Sequence, residues 1–337
     1  MFTKIYEKTK QFIKENYKEL TIILLVFCLF NFSLPYSIYT PGGMINMDKR
    51  IESEDKIYES SGSINSTYVS MVKGTIPMLI LSKILPSWDI VSNDDITLED
   101  ENIEETLKRD QYYMQEAISN ATLVAYTYAN KDINITNTQN IITYISDDAK
   151  TNLKLYDDII EYDGIQYTNF ESLKNYISNK SVGEKINFKV IRNKKEIETS
   201  AETIKVGVDT KIGLMSATIN EYKNNPNITV KTKSSESGPS GGLMTALAIY
   251  NAITEKDITK NRIIAGTGTI NTNGKIGEIG GITYKIAGAE KKGADIFLCP
   301  KENYEEAKEF TEKEGYDIIV VSVEYFSDAI NYLETEW

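Results

Sequence analysis

The spacing of hydrophobic and polar residues changes several times along the chain, and the first change is an uncharged stretch over Leu20–Tyr39. A helix of about 20 apolar residues covers about 30 Å, the thickness of the hydrocarbon core of a bilayer. Several lysines precede the stretch, which places residues 1–19 in the cytoplasm and the chain after about residue 40 outside. We therefore expect a transmembrane anchor over 20–39. A cleaved signal peptide is the alternative, although no small-residue cleavage pattern follows.

Residues 40–131 show a mixed pattern. Apolar residues alternate over Tyr68–Val72, which predicts a strand, and a polar acidic stretch over 92–105 is typical of a loop. Apolar residues at near-helical spacing between residues 112 and 125 predict a helix. We interpret 40–131 as a mixed region on the outer side of the membrane.

Residues 132–207 have the pattern of a small domain made of short strands and one helix. Strands are predicted over 141–145 and 186–190, and a helix over 170–177. The segment Leu153–Gly164 contains a leucine, an acidic turn, two aliphatic residues and Asp-Gly, and it resembles the PDZ pattern. That resemblance implies binding of an extended peptide by strand addition. The alternative is a small domain that only positions its neighbour.

Composition excludes several classes of function. The net charge of −12 would repel a polyanion, so nucleic acid is not an expected partner. The two cysteines, Cys28 and Cys299, cannot form a disulfide framework or a metal cluster. The chain has no histidine, which excludes Ser-His-Asp and Cys-His hydrolases and zinc sites built on histidine. We expect no cofactor and no metal, and any nucleophilic chemistry must use lysine, a carboxylate or tyrosine.

The motif Gly238–Met244 follows a polar stretch and opens a helical pattern, so Ser240 lies at a predicted helix start. Serine is a preferred N-cap residue, and capping is one interpretation. The same position suits a nucleophile, because glycines on either side let a substrate carbonyl approach and free N–H groups can bind an oxyanion. The sequence by itself leaves both interpretations open.

Lys285 is the lysine best placed for burial among the 33 in the chain. It follows Gly280-Gly281 and has apolar neighbours on a predicted helix that ends near Gly293. A lysine acts as a base only when desolvation lowers its pKa from about 10.4 toward neutrality. The alternative is a surface lysine whose stem lies along an amphipathic helix.

From Lys231 to Tyr304 the chain resembles the proteolytic domain of the Lon family, in which a Gly-Pro-Ser motif holds the nucleophile and a later Gly-Gly-x-x-x-Lys motif holds the base. The resemblance implies that Ser240 is the nucleophile, Lys285 the base and Thr267 a support that hydrogen-bonds the lysine. The free backbone amides around this predicted helix start, those of Gly238, Ser240 and Gly241, are the candidates for the oxyanion hole. Two positions depart from the pattern of ATP-dependent Lon enzymes. Ser237 replaces an aspartate and Thr269 replaces a glutamate, and no phosphate-loop motif is present.

The order of these segments along the chain predicts an α+β multidomain protein. It would have an N-terminal transmembrane helix, a PDZ-like strand-rich domain over 132–207 and a C-terminal Lon-type proteolytic α/β domain over 208–337. It resembles the membrane-anchored, PDZ-containing Lon-like peptidases of Gram-positive bacteria. The resemblance implies an ATP-independent extracytoplasmic serine endopeptidase that cleaves secreted or surface peptides and unfolded proteins. A homo-oligomer is a further candidate, since Lon-type domains form rings. The alternative function is a membrane-anchored peptide-binding scaffold whose Lon-type domain is inactive.

Overall fold

The computed structural model describes residues 2–85 and 87–335. Those residues form two compact units. The smaller unit combines the chain before Gly42 with Val69–Ile96, and the larger combines Gly42–Tyr68 with the chain from Thr97 onward.

The helices of the described residues are α1 Phe2–Glu15, α2 Tyr17–Asn31, α3 Ile76–Ser82, α4 Ile103–Tyr128, α5 Phe170–Ser178, α6 Gly242–Ile253, α7 Ile282–Glu290, α8 Tyr304–Glu314 and α9 Phe326–Thr335. The strands are β1 Tyr36–Asn46, β2 Ile51–Ser53, β3 Ser63–Lys73, β4 Asp89–Ser92, β5 Ile133–Ile145, β6 Asp158–Tyr162, β7 Ile165–Gln166, β8 Lys185–Arg192, β9 Lys195–Glu202, β10 Ile204–Val206, β11 Asp209–Lys211, β12 Leu214–Asn224, β13 Ile228–Val230, β14 Ile263–Gly266, β15 Thr269–Ile270, β16 Ile276–Gly277, β17 Ile296–Pro300 and β18 Ile319–Val323.

The structure of the smaller unit contradicts the prediction of a transmembrane helix over Leu20–Tyr39. Helix α2 ends at Asn31 and has no buried residue, and the chain then forms strand β1 from Tyr36, which pairs antiparallel with β4. Its 15 residues correspond to a length of about 22 Å, less than the roughly 30 Å of a hydrocarbon core. Over residues 2–85 and 87–335, no helix combines the length and the apolar character needed to cross a membrane.

The larger unit contains a mainly parallel sheet with a hydrophobic core on each face. Strand β14 pairs parallel with both β3 and β17, and β17 pairs parallel with β18. Ile264 belongs to the core shared with α4, α6 and α9, whereas its neighbour Ala265 belongs to the core shared with α7 and α8. Successive side chains on a strand point to opposite faces, so β14 is covered on both sides.

One core unites residues that lie far apart in the sequence. Met47, Ile64 and Val124 from the mixed region 40–131 pack with Leu243 and Ile264 from the C-terminal part of the chain. The C-terminal proteolytic region therefore shares its sheet and its core with β3 and α4. The PDZ-like region is inserted between α4 and β13.

The PDZ-like region has a separate core under an antiparallel sheet of order β12-β5-β6-β8-β9. The predicted strands over 141–145 and 186–190 are confirmed within β5 and β8, and the predicted helix over 170–177 is confirmed as α5. Strand β5 is paired along one edge with β12 and along the other with β6. The chain's own β12 therefore occupies one edge of β5, and a peptide cannot add to β5 along that edge.

Candidate active site

Ser240 lies in a short 3₁₀ turn, Pro239–Gly241, which leads directly into α6. Gly238, just before the turn, has φ of 90°, a backbone conformation that glycine adopts without strain. The N-cap of α6 is Gly241, and no side chain caps either the turn or the helix. The capping interpretation of Ser240 is therefore wrong, and its hydroxyl is left for other chemistry.

Lys285 lies on α7, which begins after Gly281 in the left-handed conformation. Only 4% of the residue is exposed, so the interpretation as a surface lysine with an extended stem is wrong. Burial disfavours the charged ammonium and lowers the pKa of Lys285 to about 8. A substantial fraction of its amine is therefore neutral slightly above neutral pH, as a general base requires.

Thr267 connects these two residues. The Nζ of Lys285 donates to the Oγ1 of Thr267 at 3.1 Å, and the Thr267 hydroxyl donates to the backbone carbonyl of Ser240 at 3.1 Å. The amide of Gly268 donates to the same carbonyl at 2.7 Å. Thr267 is fully buried, so this chain of hydrogen bonds is shielded from water and fixes the lysine relative to the serine backbone.

The structure narrows the set of oxyanion-hole candidates. The amide of Gly238 donates to the carbonyl of Asp110 at 2.9 Å, so it is not available to a substrate. The amides of Ser240 and Gly241 remain the candidates.

A Cβ on Gly242 would lie 2.7 Å from the Cγ2 of Ile270, which shows how closely the start of α6 packs against β15.

The loop before Ser240 is held by an ion pair that sequence reasoning left unassigned. Glu236 accepts from Arg50 at 2.5 Å through one oxygen and from the amide of Lys233 at 2.9 Å through the other. Gln111 on α4 donates to the carbonyl of Ser234 at 3.0 Å. Ser237, which replaces the Lon-family aspartate, is exposed, so the acidic contact in this loop is made by Glu236.

A cleft of about 520 Å³ adjoins the 3₁₀ turn Pro239–Gly241, the nucleophile turn. Its lining residues come from α4, the nucleophile turn, the β15–β16 hairpin and the chain after it: Tyr113, Glu116, Ala117, Asn120, Pro239, Thr269, Ile270, Asn271, Lys275, Ile276, Gly277, Glu278 and Glu302. Another cavity, of about 330 Å³, lies in the smaller unit and has an apolar lining that includes Ile76, Leu79 and Ile80. Of these two, the cleft beside Pro239 is the one next to Ser240 in the sequence, and it is the candidate substrate cleft.

Several residues of the site were missed by sequence reasoning, among them Arg50, Asp110 and Glu116. All three lie in the mixed region 40–131, where no motif marks them. Only the packing of α4 against α6 brings Asp110 and Glu116 to the nucleophile turn. Over the described part of the chain, no group of three or more acidic or cysteine side chains is arranged to hold a metal ion.

Two parts of the chain are similar to known protein domains. Residues 192–334 match the model of the Lon protease (S16) C-terminal proteolytic domain, and residues 127–203 match that of the PDZ domain. The Lon protease of Dictyoglomus thermophilum is 34% identical over 94 residues, 28% of this chain and 12% of that protein. The Lon protease of Roseiflexus castenholzii is 33% identical over 93 residues, 28% of this chain and 11% of that protein.

The matches thus cover only about an eighth of the length of these curated relatives. Among solved structures, the PDZ domain of an SdrC-like protein from Listeria innocua is 23% identical, covers 23% of this chain and 92% of that chain, and gives a TM-score of 0.22. The similarity of residues 192–334 to Lon proteolytic domains supports the interpretation of this region as a serine-type peptidase domain.

Proposed function

Starting from a chain that contains a Lon-type proteolytic domain and a PDZ domain, we propose that it is an ATP-independent serine endopeptidase that cleaves peptides and unfolded proteins. One observation carries the proposal. A buried lysine with its pKa lowered to about 8 is joined through the Thr267 hydroxyl to the backbone of Ser240. A desolvated lysine that is fixed relative to the backbone of a serine at a helix start supports a Ser/Lys dyad.

The proposed reaction begins when the neutral amine of Lys285 takes the proton of the Ser240 hydroxyl. The serine oxygen attacks the peptide carbonyl, and the amides of Ser240 and Gly241 bind the resulting oxyanion. The ammonium of Lys285 then gives its proton to the leaving amine as the C–N bond breaks. Water attacks the acyl-enzyme with Lys285 again as base, and the serine is released with the carboxylic acid product.

Independence from ATP is part of the proposal, and the absence of a phosphate-loop pattern in the sequence supports it. The PDZ domain adjoins the catalytic part through β12 and α4, since the amide of Thr218 donates to Glu116 at 3.0 Å. We assign it a positioning role, because the chain's own β12 fills one edge of β5.

The test is digestion of a denatured protein by the purified full chain without nucleotide, followed by mass spectrometry of the products. We expect cleavage by the wild type and loss of cleavage in Ser240→Ala and in Lys285→Ala. Ser237→Ala is a matched control, since it alters a neighbouring exposed hydroxyl. Cleavage that persists in either dyad variant would overturn the mechanism. Peptide binding by the wild type without any products would favour the scaffold function instead.

A further inference from the structure

The cleft beside Pro239 has two walls of different origin. Helix α4 forms one wall with Tyr113, Glu116 and Asn120, and the β15–β16 hairpin forms the other. The Nδ2 of Asn120 donates to the carbonyl of Ile270 at 3.1 Å, which holds the two walls together at one point. Pro239, which directly precedes the nucleophile, lines the cleft, so this space begins one residue from Ser240. Its volume of about 520 Å³ lies within the range of about 300–1,000 Å³ typical of ligand pockets.

The charges around the cleft are unequal. Three carboxylates, those of Glu116, Glu278 and Glu302, line it together with one cationic side chain, that of Lys275. None of these four forms an ion pair within the residues that the structure describes. A cation that enters the cleft therefore meets three carboxylates and one protein cation, so the charge around it is negative on balance.

Glu116 differs from the two other carboxylates, because it is partly buried whereas Glu278 and Glu302 are exposed. Its Oε1 accepts from the amide of Thr218 at 3.0 Å, which fixes the carboxylate at the junction of α4 and β12. Burial raises the pKa of Glu116 above its ordinary value, which shows that its charge is poorly solvated in the free protein. A cationic ligand compensates such a carboxylate more effectively than it compensates an exposed one.

The remaining lining of the cleft combines apolar or aromatic side chains with the polar side chains of Asn120, Thr269 and Asn271. Tyr113 and Ala117 lie on α4 with Glu116, and Ile270 lies on the other wall, so an apolar stem that enters the cleft meets apolar surface on both walls. Lysine and arginine combine a long apolar stem with a charged end, and this is the shape and polarity that the cleft offers.

We propose that the cleft is a substrate subsite for a lysine or arginine side chain close to the scissile bond, with Glu116 as its specificity-determining residue. The inference rests on the proposed peptidase function and adds the substrate class: basic segments of peptides and unfolded proteins. It needs no further cofactor, since recognition here is a charge-assisted hydrogen bond between the substrate cation and Glu116.

The first test compares peptides that differ only in one lysine or norleucine, placed in turn at each position around a mapped cleavage site. We expect the wild type to prefer lysine by about tenfold in kcat/KM at one position. Glu116→Gln keeps the shape of the side chain and an acceptor for Thr218, and it should remove that preference while norleucine peptides are still cleaved. Glu309→Gln on α8 is the matched control, since it removes an exposed carboxylate that does not line the cleft. Cleavage without any lysine preference would overturn the inference and leave the peptidase function intact.

A second measurement separates the inference from the function it rests on. Binding of the same fluorescent peptides to Ser240→Ala is followed by anisotropy, with and without the additional Glu116→Gln substitution. Tighter binding of the lysine peptide that is lost with Glu116→Gln supports the subsite, even if the wild type cleaves nothing. Equal binding of lysine and norleucine peptides to Ser240→Ala overturns it.

Discussion

The Nζ of Lys285 lies 3.1 Å from the Oγ1 of Thr267, and this hydroxyl donates in turn to the backbone carbonyl of Ser240. The threonine thus contacts both members of the proposed dyad. The single hydroxyl proton of Thr267 is donated to the carbonyl of Ser240, so toward Nζ the hydroxyl can only accept, and the direction of both hydrogen bonds is fixed. Four predictions concern the dyad and the loop that carries it, and one concerns the packing beside it.

The pH dependence of cleavage should follow the amine of Lys285. Its pKa is lowered to about 8 by burial, and only the neutral amine can take the serine proton. We expect kcat/KM to rise about tenfold per pH unit below pH about 8 and to level off above it. Initial rates between pH about 6 and 9 with one short peptide test this. Lys285→Arg should stay inactive over the whole range, because a guanidinium is not deprotonated. A flat profile for the wild type would rule out Lys285 as the base.

Thr267→Val should weaken catalysis by removing the hydroxyl while keeping a similar volume. The lysine amine then loses its acceptor and the Ser240 carbonyl loses a donor, with a cost of about 1–3 kcal/mol, or about 5- to 150-fold in kcat. The midpoint of the pH–rate profile should move as well, since the environment of the amine changes. Thr267→Ser restores the hydroxyl and should recover most of the activity. A change in thermal stability with no change in the pH profile would assign Thr267 a structural role alone.

The same lysine should affect stability with pH. The folded pKa of Lys285 is about 8, below the value of 10.5 in an unfolded chain. Between these values the unfolded chain binds more protons than the folded one, so the free energy of unfolding contributed by this group rises with pH. Below pH about 8 the amine is charged in both states and its burial is unfavourable. Lys285→Met lacks the group and should be more stable than the wild type at neutral pH, by a margin that shrinks toward pH about 10. Urea denaturation at several pH values measures the difference in free energy of unfolding between Lys285→Met and the wild type. A difference that does not change with pH would contradict the lowered pKa of Lys285.

The ion pair between Arg50 and Glu236 should position the nucleophile loop. Both side chains are mostly shielded, with 16% and 21% exposed, so the pair is less screened than a surface contact. Arg50→Leu and Glu236→Gln should each lower kcat about 3- to 30-fold with little change in KM, because the nucleophile turn loses its fixed position. A double-mutant cycle should show that the two effects are coupled. Lys256→Leu, which removes a more exposed ion pair with Glu334, is the control and should leave kcat unchanged. Independent effects of Arg50 and Glu236 would exclude the positioning role.

Gly242→Ala should destabilise the start of α6. The added Cβ would lie 2.7 Å from Ile270 and 3.1 Å from its backbone nitrogen, so β15 must move. Overpacking of this kind costs about 1–3 kcal/mol and should also lower cleavage, since β15 lines the cleft. Gly280→Ala is the matched control, because a Cβ there has no neighbour within 4 Å. Equal melting temperatures for the two variants would contradict this account.

Local pattern allowed much of the molecule to be predicted. The helix at Ser240, the buried helix at Lys285 and the strands and helix of the PDZ-like region all follow from the spacing of apolar residues in short windows. The absence of histidine removed rival mechanisms, and the two motifs selected one serine and one lysine. Local pattern gave a wrong prediction over Leu20–Tyr39. An uncharged run has the same composition whether it forms one long helix or a shorter helix followed by a strand.

The residue types available for the proposed chemistry, and their local order, can be read from the chain alone. Their surroundings depend on the tertiary structure. It buried Lys285 enough to lower its pKa, and it brought Arg50, Asp110 and Glu116 to the turn that holds Ser240. Those contacts join residues separated by more than one hundred positions, across an inserted domain, and no periodicity within a single helix or strand can encode them. Burial and long-range pairing depend on which faces pack together, and that packing is a property of the whole fold.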